Sequence, residues 1–125
     1  MNVPTDLLYT SDHEWVSVVG NVATIGITDF AQDELGDIVF VEFPELNSTV
    51  EKGQSAGSIE AVKTVADLYM PITGTVIEVN ENLDDNPEAV NDTPYGDGWM
   101  VKVEIANQDE ISDLLTATAY DDLIS

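Results

Sequence analysis

Apolar, β-prone runs in this sequence are short, and a Gly, Pro or Asn interrupts them every eight to twelve residues. That spacing constrains the fold more than any other feature: it points to a sandwich or barrel of short antiparallel strands. Residues 13–19 and 22–27 alternate around Gly20-Asn21, a turn pair suited to a two-residue β-hairpin. Thr28 or Asp29 is placed to cap a short helix through Leu35, with Gly36 in the stop position. Residues 37–43 form the strongest strand pattern, and Pro44 ends it. Further strands are expected at 75–79 and 99–105, with an extended lead-in over 1–12 and a loop over 46–50. Residues 80–97 read as a long polar loop with one helical turn near 87–90, and loops of that length often carry function. Residues 107–115 and 120–124 read as helical.

Within this frame one lysine stands apart. Two β-prone runs flank Lys63, with Gly53 ten residues before it and Gly74 eleven after it. The spacing predicts a hairpin over about 54–70 with Lys63 at its tip and turn glycines at the far ends. Residues 37–53 and 74–79 each lead a strand toward or away from this hairpin, which predicts a flattened barrel of approximate twofold symmetry. A lysine so presented is a candidate for covalent modification, and the plain alternative is a solvated surface residue.

Composition narrows the choice. The chain has 125 residues, a length that fits one domain over 1–125. It has no cysteine, which excludes disulfides, thiolate metal sites and any redox thiol of its own. His13 is its only histidine, so a multi-histidine metal site is excluded. Twenty-five acidic residues face three lysines and no arginine, for a net charge of −22. No basic patch can be assembled for nucleic acid, and anionic membrane surfaces are disfavoured. Self-repulsion of this size leads to the expectation of a monomer at low salt, and a solvated, salt-adapted surface accounts for most of the acids. The start, Met1-Asn2-Val3-Pro4-Thr5-Asp6, shows neither a signal-peptide nor a transit-peptide pattern, and no membrane-length apolar run follows. A cytoplasmic location is therefore expected. With lysine so scarce, the one at the hairpin tip carries more weight than a lysine on an ordinary surface.

The residues then carry a family resemblance. The stretches are His13-Glu14-Trp15-Val16, Val22 through Ala31, Glu34 through Val41, Ile59-Glu60-Ala61-Val62-Lys63, Asp67 through Gly74, and Pro94-Tyr95-Gly96-Asp97-Gly98-Trp99-Met100. In that order, and over nearly the whole chain, they resemble the H proteins of the glycine cleavage system, which are lipoyl carriers. Biotin carriers usually place methionines beside the lysine, where this chain has Val62 and Thr64. Lipoyl domains of 2-oxo acid dehydrogenases typically place Asp before it, where this chain has Val62.

The resemblance implies a lipoyl/biotinyl-carrier barrel-sandwich fold and a lipoate joined to Lys63 as an amide. It implies a non-enzymatic shuttle. An aminomethyl group moves from glycine decarboxylase to aminomethyltransferase, electrons pass to dihydrolipoyl dehydrogenase, and a lipoate ligase or lipoyltransferase attaches the cofactor. It further implies that Glu14 and Asp67 line a surface cleft holding the amine of the loaded arm, each competing with the reading of an ordinary surface acid. Glu60 is a candidate for orienting the hairpin or for ligase recognition. His13 reads as a structural histidine beside Trp15, and Trp15, Phe40, Phe43 and Trp99 as core or cleft wall. Two other readings stay open: a lipoyl donor in a relay serving 2-oxo acid dehydrogenases, and a cofactor-free binding module.

Overall fold

The computed structural model describes residues 2–125. Nine strands are distributed over two antiparallel sheets. In chain order the elements are β1 (Leu8–Tyr9), β2 (Glu14–Val19), β3 (Val22–Ile27), α1 (Asp29–Leu35), β4 (Ile38–Glu42), β5 (Thr49–Val50) and β6 (Ser55–Ala61). They continue with β7 (Val65–Tyr69), β8 (Gly74–Val79), α2 (Asn82–Asp85), α3 (Ala89–Asp92), β9 (Val101–Ile105), a 3₁₀ turn (Gln108–Asp113) and α4 (Ala117–Ile124). The larger sheet has the order β1-β2-β3-β9-β8-β5, the smaller β4-β6-β7.

The period of two predicted the inner faces well. Val16, Ala23, Ile25, Val76, Val101 and Val103 from the larger sheet meet Ile38, Val41, Ile59 and Leu68 from the smaller. Among the described residues no ladder joins the two sheets, so the flattened barrel is realised as a sandwich. β4 and β8, the two strands expected to be related, lie in different sheets. The Gly20-Asn21 hairpin runs in register from Glu14↔Ile27 to Val19↔Val22, with Gly20 at φ 60°. Thr28 caps α1 by accepting from Ala31 N, and Gly36 ends it at φ 81°.

Three segments differ from expectation. The lead-in contains β1, because Tyr9 is fully buried and exchanges two backbone hydrogen bonds with Leu115. Residues 46–50 end in β5, paired with β8. The loop over 80–97 holds two helical turns, α2 and α3, which bury Leu83, Ala89 and Val90. The first C-terminal helical stretch is present, as expected, as a 3₁₀ helix with the Asn107 side chain accepting from Asp109 N.

Gly53 and Gly74 serve different ends. Gly53 turns at φ 87°, as expected of a turn glycine. Gly74 is instead the first residue of β8, where a Cβ would lie 2.7 Å from the Glu104 carbonyl and 2.9 Å from Val103 Cγ2. Gly74→Ala is expected to destabilise the fold by ~3 kcal/mol or more, since backbone must move. Gly53→Ala, with open space around it, should cost only ~1 kcal/mol. Urea unfolding of the two variants separates the cases.

Candidate functional site

The expected hairpin is β6 and β7 joined across Val62-Lys63. Ala61 N donates to Thr64 O at 2.8 Å, and the ladder continues through Glu60↔Val65, Ile59↔Ala66 and Ser58↔Asp67. Alternation sends Ile59 and Ala61 inward and leaves Glu60 exposed on the outer face. Neither tip residue needs a positive φ. Val62 N donates to Asp37 O at 3.1 Å, which ties the tip to the end of α1. The Lys63 side chain lies back over Gly36, with Cε 3.4 Å from where a Cβ would stand.

Lys63 is exposed and, among the described residues, makes no ion pair or hydrogen bond. The other two lysines are engaged. Lys52 pairs with Asp113 at 3.2 Å, and Lys102 sits 4.0 Å from Glu78 and 4.9 Å above the Trp99 ring.

Beside the hairpin a cleft of about 310 Å³ opens between the two sheets. Its apolar lining includes Ile27, Phe30, Ala31, Leu35, Ile59 and Ala66. Its polar lining is Asp12, His13, Glu14, Glu34 and Asp67. The volume is at the lower end for small-molecule sites. Glu14 and Asp67, separated by more than fifty residues in sequence, thus share one cavity, while Glu60 stands outside it.

Glu14 is not the surface acid that composition allowed. It is 2 % exposed. Oε1 accepts from the Thr10 hydroxyl at 2.6 Å, and Oε2 accepts from Tyr69 N at 3.2 Å. Tyr69 lies on β7, the edge of the smaller sheet, so a side chain from the larger sheet satisfies an otherwise free edge N–H. Burial pushes the Glu14 carboxyl up to about 7, against the two hydrogen bonds that favour its ionised form. Asp67 is exposed and accepts from the Tyr69 hydroxyl at 3.4 Å.

His13 packs against Phe30 at 4.7 Å and Tyr120 at 5.8 Å. Trp15, expected as its neighbour, turns away to lie over Gly26 and donates its indole N–H to Pro94 O at 2.9 Å. Burial lowers the His13 pKa, opposed by Asp12 and Glu34. Phe40 was expected in the core or cleft wall but is 45 % exposed, because the β4 register breaks after Ile38 and turns Phe40 outward with Glu60 and Val65. Sequence reasoning missed Thr10, Phe30 and Tyr120 as parts of this site. Tyr120 carried a faint signal, an aromatic in a short polar helix.

The structure thus sets a free lysine on a tight hairpin next to a cleft with an apolar floor and carboxylates at its wall. Residues 7–125 match the family model described as glycine cleavage H-protein. A glycine cleavage system H protein from Staphylococcus haemolyticus is 53 % identical over 124 residues, covering 99 % of this chain and 98 % of that one. The crystal structure of a glycine cleavage system H protein from Mycobacterium marinum superposes with a TM-score of 0.89 at 39 % identity, covering 96 % of this chain and 97 % of that one. The chain belongs to the glycine cleavage H-protein family.

The Glu14 carboxyl sets a pH dependence. Its folded value of about 7 exceeds its ordinary 4.5, so between these the folded protein holds a proton that the unfolded chain has lost. The stability it contributes is complete below about pH 4.5 and is lost as pH rises through about 7. Glu14→Gln stays neutral throughout and should gain ~2–3 kcal/mol on the wild type between about pH 5 and about pH 8. Its lost acceptor adds only a pH-independent offset. Urea unfolding of both proteins at the two pH values checks the sign.

Proposed function

We propose that Lys63 holds the lipoyl group as an amide and that the neighbouring cleft seats the arm when it is loaded. Family membership assigns the chain the role of lipoyl carrier in the glycine cleavage system, acting with the other components of that system. When attached, the lipoyl group supplies the disulfide that takes up an aminomethyl group and then electrons, chemistry this cysteine-free chain lacks. The chain itself binds, orients and shields, and is not an enzyme. Glycine decarboxylase, aminomethyltransferase, dihydrolipoyl dehydrogenase and a lipoate ligase or lipoyltransferase are the partners this role requires.

The observation that carries the reading is the placement of Lys63. Its stem rests on Gly36, the residue that ends α1, and α1 supplies Phe30, Ala31, Glu34 and Leu35 to the cleft wall. An arm on Lys63 therefore starts beside the cavity. The apolar floor suits its hydrocarbon, and Glu14 and Asp67 suit an ammonium at its end. The two acids divide the work. Asp67 is exposed and available at once. Glu14 has both oxygens engaged but retains lone-pair capacity, and an arriving cation favours its ionised form. Shielding the amine from water slows its loss. Glu60, on the outer face, is positioned for ligase contact rather than for the seat.

Two measurements test this. Intact mass of protein made alongside a lipoylation system should show one lipoyl adduct that Lys63→Arg abolishes, together with carrier function. An unmodified wild type, or a functional Lys63→Arg, would sink the proposal in favour of a cofactor-free module. Asp67→Asn should leave lipoylation intact and shorten the lifetime of the aminomethyl-loaded carrier by about tenfold, the worth of one charge-assisted hydrogen bond. Release of ammonia over time reads that lifetime, and an unchanged rate would remove the seat.

A further inference from the structure

Behind His13, which lines the cleft, runs a short hydrogen-bond chain whose direction can be worked out. Tyr120, from α4, is fully buried and places its hydroxyl 2.8 Å from Thr28 Oγ1 and 2.8 Å from His13 Nδ1. Thr28 is also fully buried. Its Oγ1 accepts from Ala31 N at 3.2 Å as the cap of α1. Among the described residues the Thr28 hydroxyl has one acceptor for its own hydrogen, the Tyr120 oxygen. Reversing that bond would bury an unpaired hydroxyl hydrogen, at a cost of about 1–3 kcal/mol. Thr28 therefore donates to Tyr120, and Tyr120 donates to His13 Nδ1.

We infer that Tyr120 is a positioning residue that holds His13 as the neutral tautomer with its hydrogen on Nε2, which keeps a cation out of the arm's seat. A second observation supports the constraint: His13 sits at φ 70°, in the left-handed region, pinned by His13 N to Thr10 O at 3.1 Å and Thr28 N to His13 O at 3.0 Å. The Tyr120 ring is itself braced by a stack on Tyr9 at 4.7 Å. The consequence for function rests on the cleft being the seat of the loaded arm. His13 shares that cavity with Asp12 and Glu14 from the segment around β2, Glu34 from α1 and Asp67 from β7. An imidazolium there would pair with these carboxylates and repel an incoming ammonium. Adding a proton to Nδ1 requires Tyr120 to turn its hydrogen away and strands the Thr28 hydroxyl. The chain thus opposes that charge at its source.

A single histidine makes the test clean. Long-range ¹⁵N–¹H correlation spectra of the unmodified protein at neutral pH should show Nδ1 unprotonated and Nε2 protonated. Tyr120→Phe keeps the ring and its stack but removes the hydroxyl, and should move both nitrogens toward exchange-averaged positions. Thr28→Val should do the same, and Thr28→Ser should retain the wild-type pattern. A wild-type ring with its hydrogen on Nδ1, or a Tyr120→Phe spectrum unchanged from wild type, would overturn the inference. On the lipoylated protein, Tyr120→Phe should shorten the loaded lifetime by about fivefold, the worth of one neutral hydrogen bond. Shortening by Asp67→Asn but not by Tyr120→Phe would overturn the link from His13 to the arm. No shortening by Asp67→Asn would count against the seat, leaving the spectra to decide the positioning role.

Discussion

The two sheets of this protein are held in register at their open margin by one buried carboxyl. Glu14 leaves the start of β2, takes the Thr10 hydroxyl on one oxygen, and closes the free edge of β7 through Tyr69 N on the other. The apolar interior would pack with or without it, since dispersion and burial do not depend on direction. What a directional bond adds is a fixed contact between the margins beside the cleft, which Glu14 lines. The same group is costly: burial drives it toward the protonated form near neutral pH. In the proposed seat, a buried acid held in this way would join a structural role to a chemical one, because a cation entering the cavity would meet a carboxyl already desolvated.

Charge elsewhere works by scarcity. With 25 acids and three lysines, a pair such as Lys52–Asp113, exposed on both sides, contributes little to stability. Its larger effect is to occupy the cation. Lys102 is likewise drawn between Glu78 and the Trp99 face. This leaves Lys63 as the one unengaged ammonium among the described residues, on a surface with few other amines to compete for a modifying enzyme. Converting it to an amide makes the chain one unit more negative, a small step on a surface already at −22.

How far the sequence foretold this follows from what each signal measures. Period-two alternation and turn chemistry are local, so β2, β3, β6, β7, the cap at Thr28 and the stop at Gly36 could all be placed from residues alone. β1 and β5 could not, because two-residue strands have no period, and Tyr9 is ordered by Leu115 from the far end of the chain. Gly74 looked like a turn glycine, whereas the reason for it lies in β9, thirty residues away. Glu14 and Asp67 could be named by resemblance, but among 25 acids nothing local distinguished one buried carboxyl from the rest. Tyr120 is harder still. Its importance comes from meeting His13 and Thr28 across the fold, and no spacing encodes that.

On the proposed reading, an arm on Lys63 needs a fixed pivot, and residues outside the cleft supply one. Asn91, from the segment read as a long polar loop with one helical turn, uses its whole amide on the junction of α1 and β4. It donates to Gly36 O at 2.9 Å and Gln32 Oε1 at 3.0 Å, and accepts from Ile38 N at 2.9 Å. Between those two clamped residues lies Asp37, whose carbonyl holds the hairpin tip through Val62 N. The tip is therefore anchored to the same junction that ends the cleft wall, and Lys63 leans on Gly36 at that point. The tip's position relative to the cleft wall is thus fixed by three hydrogen bonds on one asparagine and one on Asp37. Asn91 belongs to α3, and Val90 beside it is fully buried, so the segment over 80–97 is held against the core where it meets that junction.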